Sequence, residues 1–207
     1  MFLSDRPDNY EKVYQELVQR LARHDLAGAA SELGLQSQGP AVRVPCLGRD
    51  YLVDGQGVRT AEGGEAPLTH RIVLAYYLLH GGRGETAQRF VPYRELPGGQ
   101  DFARSLSGMV EDRLARFFSG KLPLLEKAVA ARGGRPWQVE SSVDGAWLFP
   151  ALPRIPLLLT FYDADEEFPA EAKLFYDLTA PNFLDLECLA VLGLMLVLEL
   201  EEGANQA

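Results

Sequence analysis

Three features of the 207-residue sequence predict an α+β fold, with a mainly antiparallel, hairpin-built sheet packed against about five helices. Short segments of strand character follow one another with only turn residues between them, and hairpins of that kind imply antiparallel pairing rather than the long crossovers of a parallel sheet. Between them lie stretches whose apolar residues recur at helical spacing. Near the C-terminus, Cys188 to Leu198 is unbroken by any polar side chain. A helix apolar on all sides is expected to be buried on all sides, and this run is far short of the roughly 20 residues that cross a bilayer.

Taken in order, Asp8 and Glu11 form a capping-box-like start, and Tyr10, Val13, Tyr14, Leu17, Val18 and Leu21 make one stripe of an amphipathic helix. Asp25 is read as the N-cap of a short second helix that Gly34 ends. Val42–Leu47 and Tyr51–Asp54 are predicted strands joined by Gly48 and Arg49, and the glycine-rich stretch 55–66 reads as a loop. Helical pattern returns from Thr69 to His80, where glycines stop it. After the compact segment Val91 to Gly99, Asp101 is a predicted cap for a helix from Phe102 to Phe118, followed by another over 122–131.

Trp137, Val139 and Val143 alternate with polar residues, and Asp144-Gly145 is a hairpin dipeptide before Ala146–Phe149. Leu157–Tyr162 is an apolar run that reads as a buried strand, with Pro156 placed at its first position because proline cannot donate to a ladder. Ala172, Leu174 and Tyr176 alternate with Lys173, Phe175 and Asp177, giving a second strand with two unlike faces. Asp185 is the expected cap of the last helix and Gly203 its stop. One domain over 1–207 is expected, with a helical segment at 1–34 and a sheet-containing core at 42–203.

The net charge of −9 and pI near 4.9 argue against a nucleic-acid binder, which needs a basic face. Cys46 and Cys188 form no C-x-x-C pair, so they read as buried hydrophobes rather than cluster or zinc ligands. MFLSDRPDNY lacks the charged-then-apolar pattern of a signal peptide, which points to the cytoplasm. His70 and His80 are about 15 Å apart along one helix and cannot share a metal; both, with His24, read as surface or helix-end histidines. Neither a G-x-S-x-G elbow nor another nucleophile–base arrangement is legible.

Two segments could carry function. The acidic turn holds Asp163, Asp165, Glu166 and Glu167, then Phe168 and Pro169, which are expected to tuck back against the sheet. Asp163, Asp165 and Glu167 alternate as oxygen ligands would, with Glu171 able to close the set, although the EF-hand template fails at Phe168 and Leu174. A solvated turn is the plainer reading. In the segment 91–99, Arg94 with Glu95 precedes Gly98 and Gly99, whose backbone N–H groups could hold an anion with Arg94 as charge partner. A tight turn and an ion pair that position a helix explain the same residues. If Arg94 paired with the acidic turn, the two segments would form one site.

LGRDY at 47–51, YRELPGG at 93–99, LPRIPLLL at 152–159, DEEFPAEAKLFYD at 165–177 and LDLE at 184–187 together resemble a prokaryotic family catalogued only as a domain of unknown function. That family is frequent in anaerobic bacteria and archaea, and some members carry a cysteine-rich four-iron–sulfur module. The module is lacking here, and the resemblance supplies no catalytic residue. It implies a setting in anaerobic metal, corrinoid or one-carbon metabolism. The expectation is a non-catalytic binding or accessory protein with a protein partner or small ligand, no nucleic acid, no membrane and no cofactor. The alternative is a divalent-metal enzyme or metal-delivery factor built on the acidic turn.

Overall fold

The computed structural model describes residues 7–101 and 103–206 of the chain. Helix α1 (Pro7–Leu21) begins one residue before the predicted Asp8 cap, with proline at its first turn, where a missing N–H costs nothing. Its stripe buries Tyr14, Leu17 and Leu21. Asp25 caps α2 (Leu26–Leu33) by accepting from the Gly28 N–H at 3.0 Å, and Gly34 closes it in the left-handed conformation.

A four-stranded antiparallel meander follows: β1 (Gln36–Gln38), β2 (Ala41–Cys46), β3 (Arg49–Asp54) and β4 (Gly57–Thr60). The β2–β3 turn is Leu47-Gly48 rather than Gly48-Arg49; both residues have positive φ, +48° and +77°, the geometry of a two-residue hairpin. The stretch read as loop contains β4, whose start is fixed to α1 by the Val58 N–H donating to Tyr14 Oη at 2.8 Å. Helix α3 (Leu68–His80) then crosses the core.

The second sheet is assembled from both halves of the remaining chain in the order β5-β9-β8-β7-β6, all antiparallel. Its strands are β5 (Phe90–Pro92), β6 (Arg135–Pro136), β7 (Gly145–Leu152), β8 (Ile155–Tyr162) and β9 (Glu171–Asp177). The predicted helix 102–118 is two helices, α4 (Ala103–Met109) and α5 (Glu111–Phe118), broken at Val110; the Asp101 cap and Phe102 fall outside the described side chains. Helix α6 (Leu122–Ala131) ends at Arg132.

Arg135 and Pro136 form β6, the Trp137 N–H still donates to the Ala146 carbonyl at 2.9 Å, and 138–144 run as irregular chain, so the β6–β7 connection is a long loop rather than a two-residue Asp144-Gly145 turn, and β7 starts at Gly145. Pro156 lies at the second position of β8, not the first. There the β7 register shifts: Phe149 pairs Leu157 and Leu152 pairs Ile155, which sets Pro150 and Ala151 against Pro156. A bulge tolerates proline in a central strand because the ladder is interrupted at that point. The freed Ala151 carbonyl accepts from the Leu47 N–H at 3.1 Å, which joins the two sheets through the β2–β3 turn.

Helix α7 (Leu186–Asn205) is capped by Asp185 and runs through Gly203, since glycine inside a packed helix costs only about 1 kcal/mol and tertiary contacts offset it. Most of its apolar run is buried, but Leu198 is 40% exposed, so the helix is not buried on every side. Around it one apolar core extends from Tyr14 to Ala204 and includes residues of both sheets. Among the described residues, no helix is long and apolar enough to cross a membrane.

Candidate functional site

Strand β5 pairs only with the end of β9, Phe90 with Asp177 through Pro92 with Phe175. Pro92, opposite Phe175, is the last paired residue, and the chain then leaves the ladder for a 3₁₀ turn over Tyr93–Glu95. Beyond that point β9 continues to Glu171 without a strand on this side among the described residues. The Leu174 N–H, left facing outward, donates instead to Glu111 Oε1 at the start of α5, at 3.2 Å. Ser107 Oγ donates to the other oxygen of the same carboxylate at 2.8 Å.

This truncated edge borders a cleft of about 810 Å³ between β9, the 92–94 segment and helices α4 and α5. Its walls are apolar where Tyr93, Leu106, Val110 and Tyr176 reach it, and Arg94, Arg104 and Lys173 line it from two sides. Glu111 and Asp112 are its acids. Lys173 Nζ is 2.9 Å from Glu171 and 3.9 Å from Glu111. Its pKa is raised above the ordinary lysine value chiefly by the bond to Glu171, against the opposing effects of partial burial and of the nearby Arg94 charge. Arg94 and Arg104 are both exposed, and among the described residues no carboxylate forms an ion pair with either. Burial pushes the Tyr93 hydroxyl up to about 12, and it donates to the Leu186 carbonyl at 2.7 Å. Tyr93 packs edge-on against Tyr176, with ring centroids 5.5 Å apart.

Of the residues singled out from sequence, only Arg94 lines this cleft. Glu95 is exposed and forms no buried pair with it. Gly98 and Gly99 build the turn beneath: Gly98 has φ +83°, and a Cβ on Gly99 would meet the Tyr93 carbonyl oxygen at 2.1 Å. The Gly99 N–H donates to the Leu96 carbonyl at 2.9 Å, so it serves the turn.

The acidic turn lies at the far end of the β8–β9 hairpin. Asp163 Oδ1 accepts from the N–H groups of Gly120 at 2.6 Å and Ala164 at 2.8 Å. Asp165 Oδ1 accepts from Glu167 and Phe168, and these two amides hold its carboxyl below the ordinary value. Glu166 and Glu167 are exposed, and Glu171 is taken by Lys173. Phe168 is 65% exposed and Pro169 is exposed too, so neither tucks against the sheet. Among the described residues, no ion pair joins Arg94 to the acidic turn, so the two segments do not form one site. Among the described residues, no group of three or more His, Cys, Asp or Glu side chains is placed to hold a metal ion.

A second polar cluster was not legible in the sequence at all. Glu199 of α7 is 5% exposed, and Arg132 Nε approaches its Oε2 at 2.7 Å and Arg49 Nη2 at 3.3 Å. His70, expected at the surface, is 4% exposed and lies 3.3 Å from Glu199 Oε1, with its ring against Tyr51. Glu202 bonds both arginines from the solvent side, at 3.0 and 3.1 Å. Burial alone would raise the Glu199 carboxyl; His70, Arg49 and Arg132 together outweigh it and hold it below the ordinary value. Cys46, beside Glu199, and Cys188, near the other end of α7, are both free, and burial pushes both thiols well up, away from reactivity. No local pattern announces this cluster, because its members come from β3, α3, the end of α6 and α7.

No curated protein and no solved structure matches the chain. A family model does, over residues 25–199, which takes in the β9 edge, the cleft and the buried cluster. The chain belongs to the family described as a domain of unknown function, DUF3786.

Proposed function

We propose that this protein is a non-catalytic binding protein whose cleft at the β9 edge takes a ligand carrying a carboxylate or phosphate group. The observation that carries the reading is the convergence of Arg94, Arg104 and Lys173 on one cleft in a chain of net charge −9. In such a chain a cation without a carboxylate partner is a site of positive potential, and concavity strengthens its attraction for an anion. The apolar walls at Leu106 and Val110 would bury the body of the ligand, as small-molecule sites do. Among the described residues, the hydroxyl–carboxylate contact in the cleft is that of Ser107 with Glu111, whose other oxygen accepts from the Leu174 amide; the carboxylate thus serves to position the backbone, which favours a binding reading.

Within this reading the protein acts in the cytoplasm as an accessory factor, in the anaerobic metal, corrinoid or one-carbon metabolism that the family resemblance implies. Titration of the whole chain with glutarate and with inorganic phosphate, followed by amide NMR and calorimetry, tests the cleft. Shifts at Arg94, Arg104 and Lys173 that vanish in Arg94→Glu are the expected result. No shift with either anion overturns the reading.

A further inference from the structure

Both signs of charge line the cleft, and the charges left without a partner do not meet each other. We propose that the ligand is a zwitterion, an α-amino acid with an apolar side chain, whose carboxylate lies toward Arg94 and Arg104 and whose ammonium group lies toward Asp112. This rests on the anion-binding reading of the same cleft and narrows it to one ligand class.

The acids supply the first reason. Glu111 and Asp112 both line the cleft. Glu111 is committed within the protein, with one oxygen accepting from the Leu174 N–H and the other from the Ser107 hydroxyl. Asp112 is exposed, and among the described residues its side chain forms neither an ion pair nor a hydrogen bond. Arg94 and Arg104 are exposed and without a carboxylate partner in the same cleft, yet no ion pair joins either of them to Asp112. They stand on separate elements, Arg94 in the turn after β5, Arg104 in α4 and Asp112 in the first turn of α5. A simple anion answers the arginines and leaves the Asp112 carboxylate as a source of repulsion. A molecule carrying both charges gives each its partner, and a few placed polar groups of this kind fix a ligand's orientation.

Gly108 supplies the second reason. It lies inside α4, where a glycine costs about 1 kcal/mol relative to alanine. Close packing does not account for it: apart from its chain neighbours and its own helix backbone, a Cβ there would meet within 4 Å only Asp112 Oδ2, at 3.9 Å. Gly108 also lines the cleft, so its missing side chain leaves the approach to Asp112 open.

The apolar part of the ligand has its own surface. Pro92 and Phe175 lie opposite each other on adjacent strands, so their side chains share one face, and both are half-buried in the cleft wall. A free phosphate has nothing to place there.

The test uses the whole chain and three probes of one shape: L-phenylalanine, 3-phenylpropanoate, which lacks the ammonium group, and phenethylamine, which lacks the carboxylate. Calorimetry is expected to show phenylalanine binding about tenfold more tightly than 3-phenylpropanoate, the contribution of one hydrogen bond between charged groups, and no binding of phenethylamine. In Asp112→Asn the advantage of phenylalanine should vanish, while glutarate binds no more weakly than to the wild type. The proposal is overturned if phenylalanine and 3-phenylpropanoate bind the wild-type chain equally well, if the advantage survives in Asp112→Asn, or if phenethylamine binds as tightly as phenylalanine. Should Asp112→Asn not fold, the Gly108 and Asp112 amides of the wild-type chain decide: they are expected to shift with phenylalanine and not with 3-phenylpropanoate, and equal shifts overturn the proposal. Glutarate binding that depends on Arg94, with no gain for phenylalanine, removes the zwitterion and leaves the anion cleft. Absence of binding by glutarate, phosphate and all three probes removes both.

Discussion

Arg132 Nε lies 2.7 Å from Glu199 Oε2, and both side chains are almost wholly removed from water. Neither Arg132 Nε nor the nitrogens of His70 are aligned for a hydrogen bond, so the attraction at this contact is that of charges in a poorly screened interior. Replacing both partners of such a pair with apolar groups can be nearly neutral, but removing one leaves a buried charge without compensation. Glu199→Ala is therefore expected to lower the unfolding free energy by about 3–5 kcal/mol, read from urea denaturation.

The same carboxylate makes stability depend on acid. Its folded pKa is depressed, so its contribution is fully present above the ordinary glutamate value and is lost as pH falls through the lower folded value. Urea midpoints measured from neutral pH downward should fall more steeply for the wild-type chain than for Glu199→Gln. Parallel curves would show that Glu199 contributes nothing to acid sensitivity.

Gly48 is held between two constraints. Its φ is +77°, and a Cβ there would sit 2.8 Å from the carbonyl carbon of Arg132, which is backbone and has little freedom to yield. Gly48→Ala should cost about 2 kcal/mol or more, from the left-handed conformation together with the displaced α6 terminus. The melting temperature reports the loss.

Gly193 of α7 faces Tyr176, and a Cβ would meet its hydroxyl oxygen at 2.3 Å. That hydroxyl is fully buried without a hydrogen-bond partner among the described residues. Tyr176→Phe removes an unsatisfied polar atom and is expected to leave stability unchanged or slightly higher. Gly193→Ala should cost about 1–3 kcal/mol through overpacking, and the double variant should recover most of that. Additive losses in the cycle would contradict the contact.

At the acidic turn, Asp163 and Asp165 each commit one oxygen to two backbone amides. Asp165→Ala is expected to speed hydrogen exchange at the Glu167 and Phe168 amides while global stability stays near that of the wild type. Magnesium, calcium or manganese is expected to leave the melting temperature unchanged. A rise with any of them that is lost in a variant carrying Asp163→Asn and Asp165→Asn would assign the turn to a cation.

Local chemistry alone specified much of this protein. The α1 stripe, the Asp25 and Asp185 caps, the alternation of β9 and the α+β class are all set by neighbours within a few residues. Such features are legible because the backbone must satisfy its own end groups and each element must bury one side. Elements that depend on distant chain are not legible for the same reason. The segment of β4 has the composition of a loop, because its glycine-rich run becomes a strand only through pairing with β3 and the bond to Tyr14. Pro156 has the sequence context of a strand start, because the bulge that admits it inside the strand belongs to β7.

The candidate site divides along the same line. Arg94 and its turn stood out locally, but Lys173 looked like the polar half of an ordinary strand, and Arg104 and Glu111 like ordinary helix surface. Only the early end of β5 at Pro92 brings them to one cleft. His70, Arg132 and Glu199 carry no mark in sequence, because a charge becomes a buried charge only when helices from distant parts of the chain close over it.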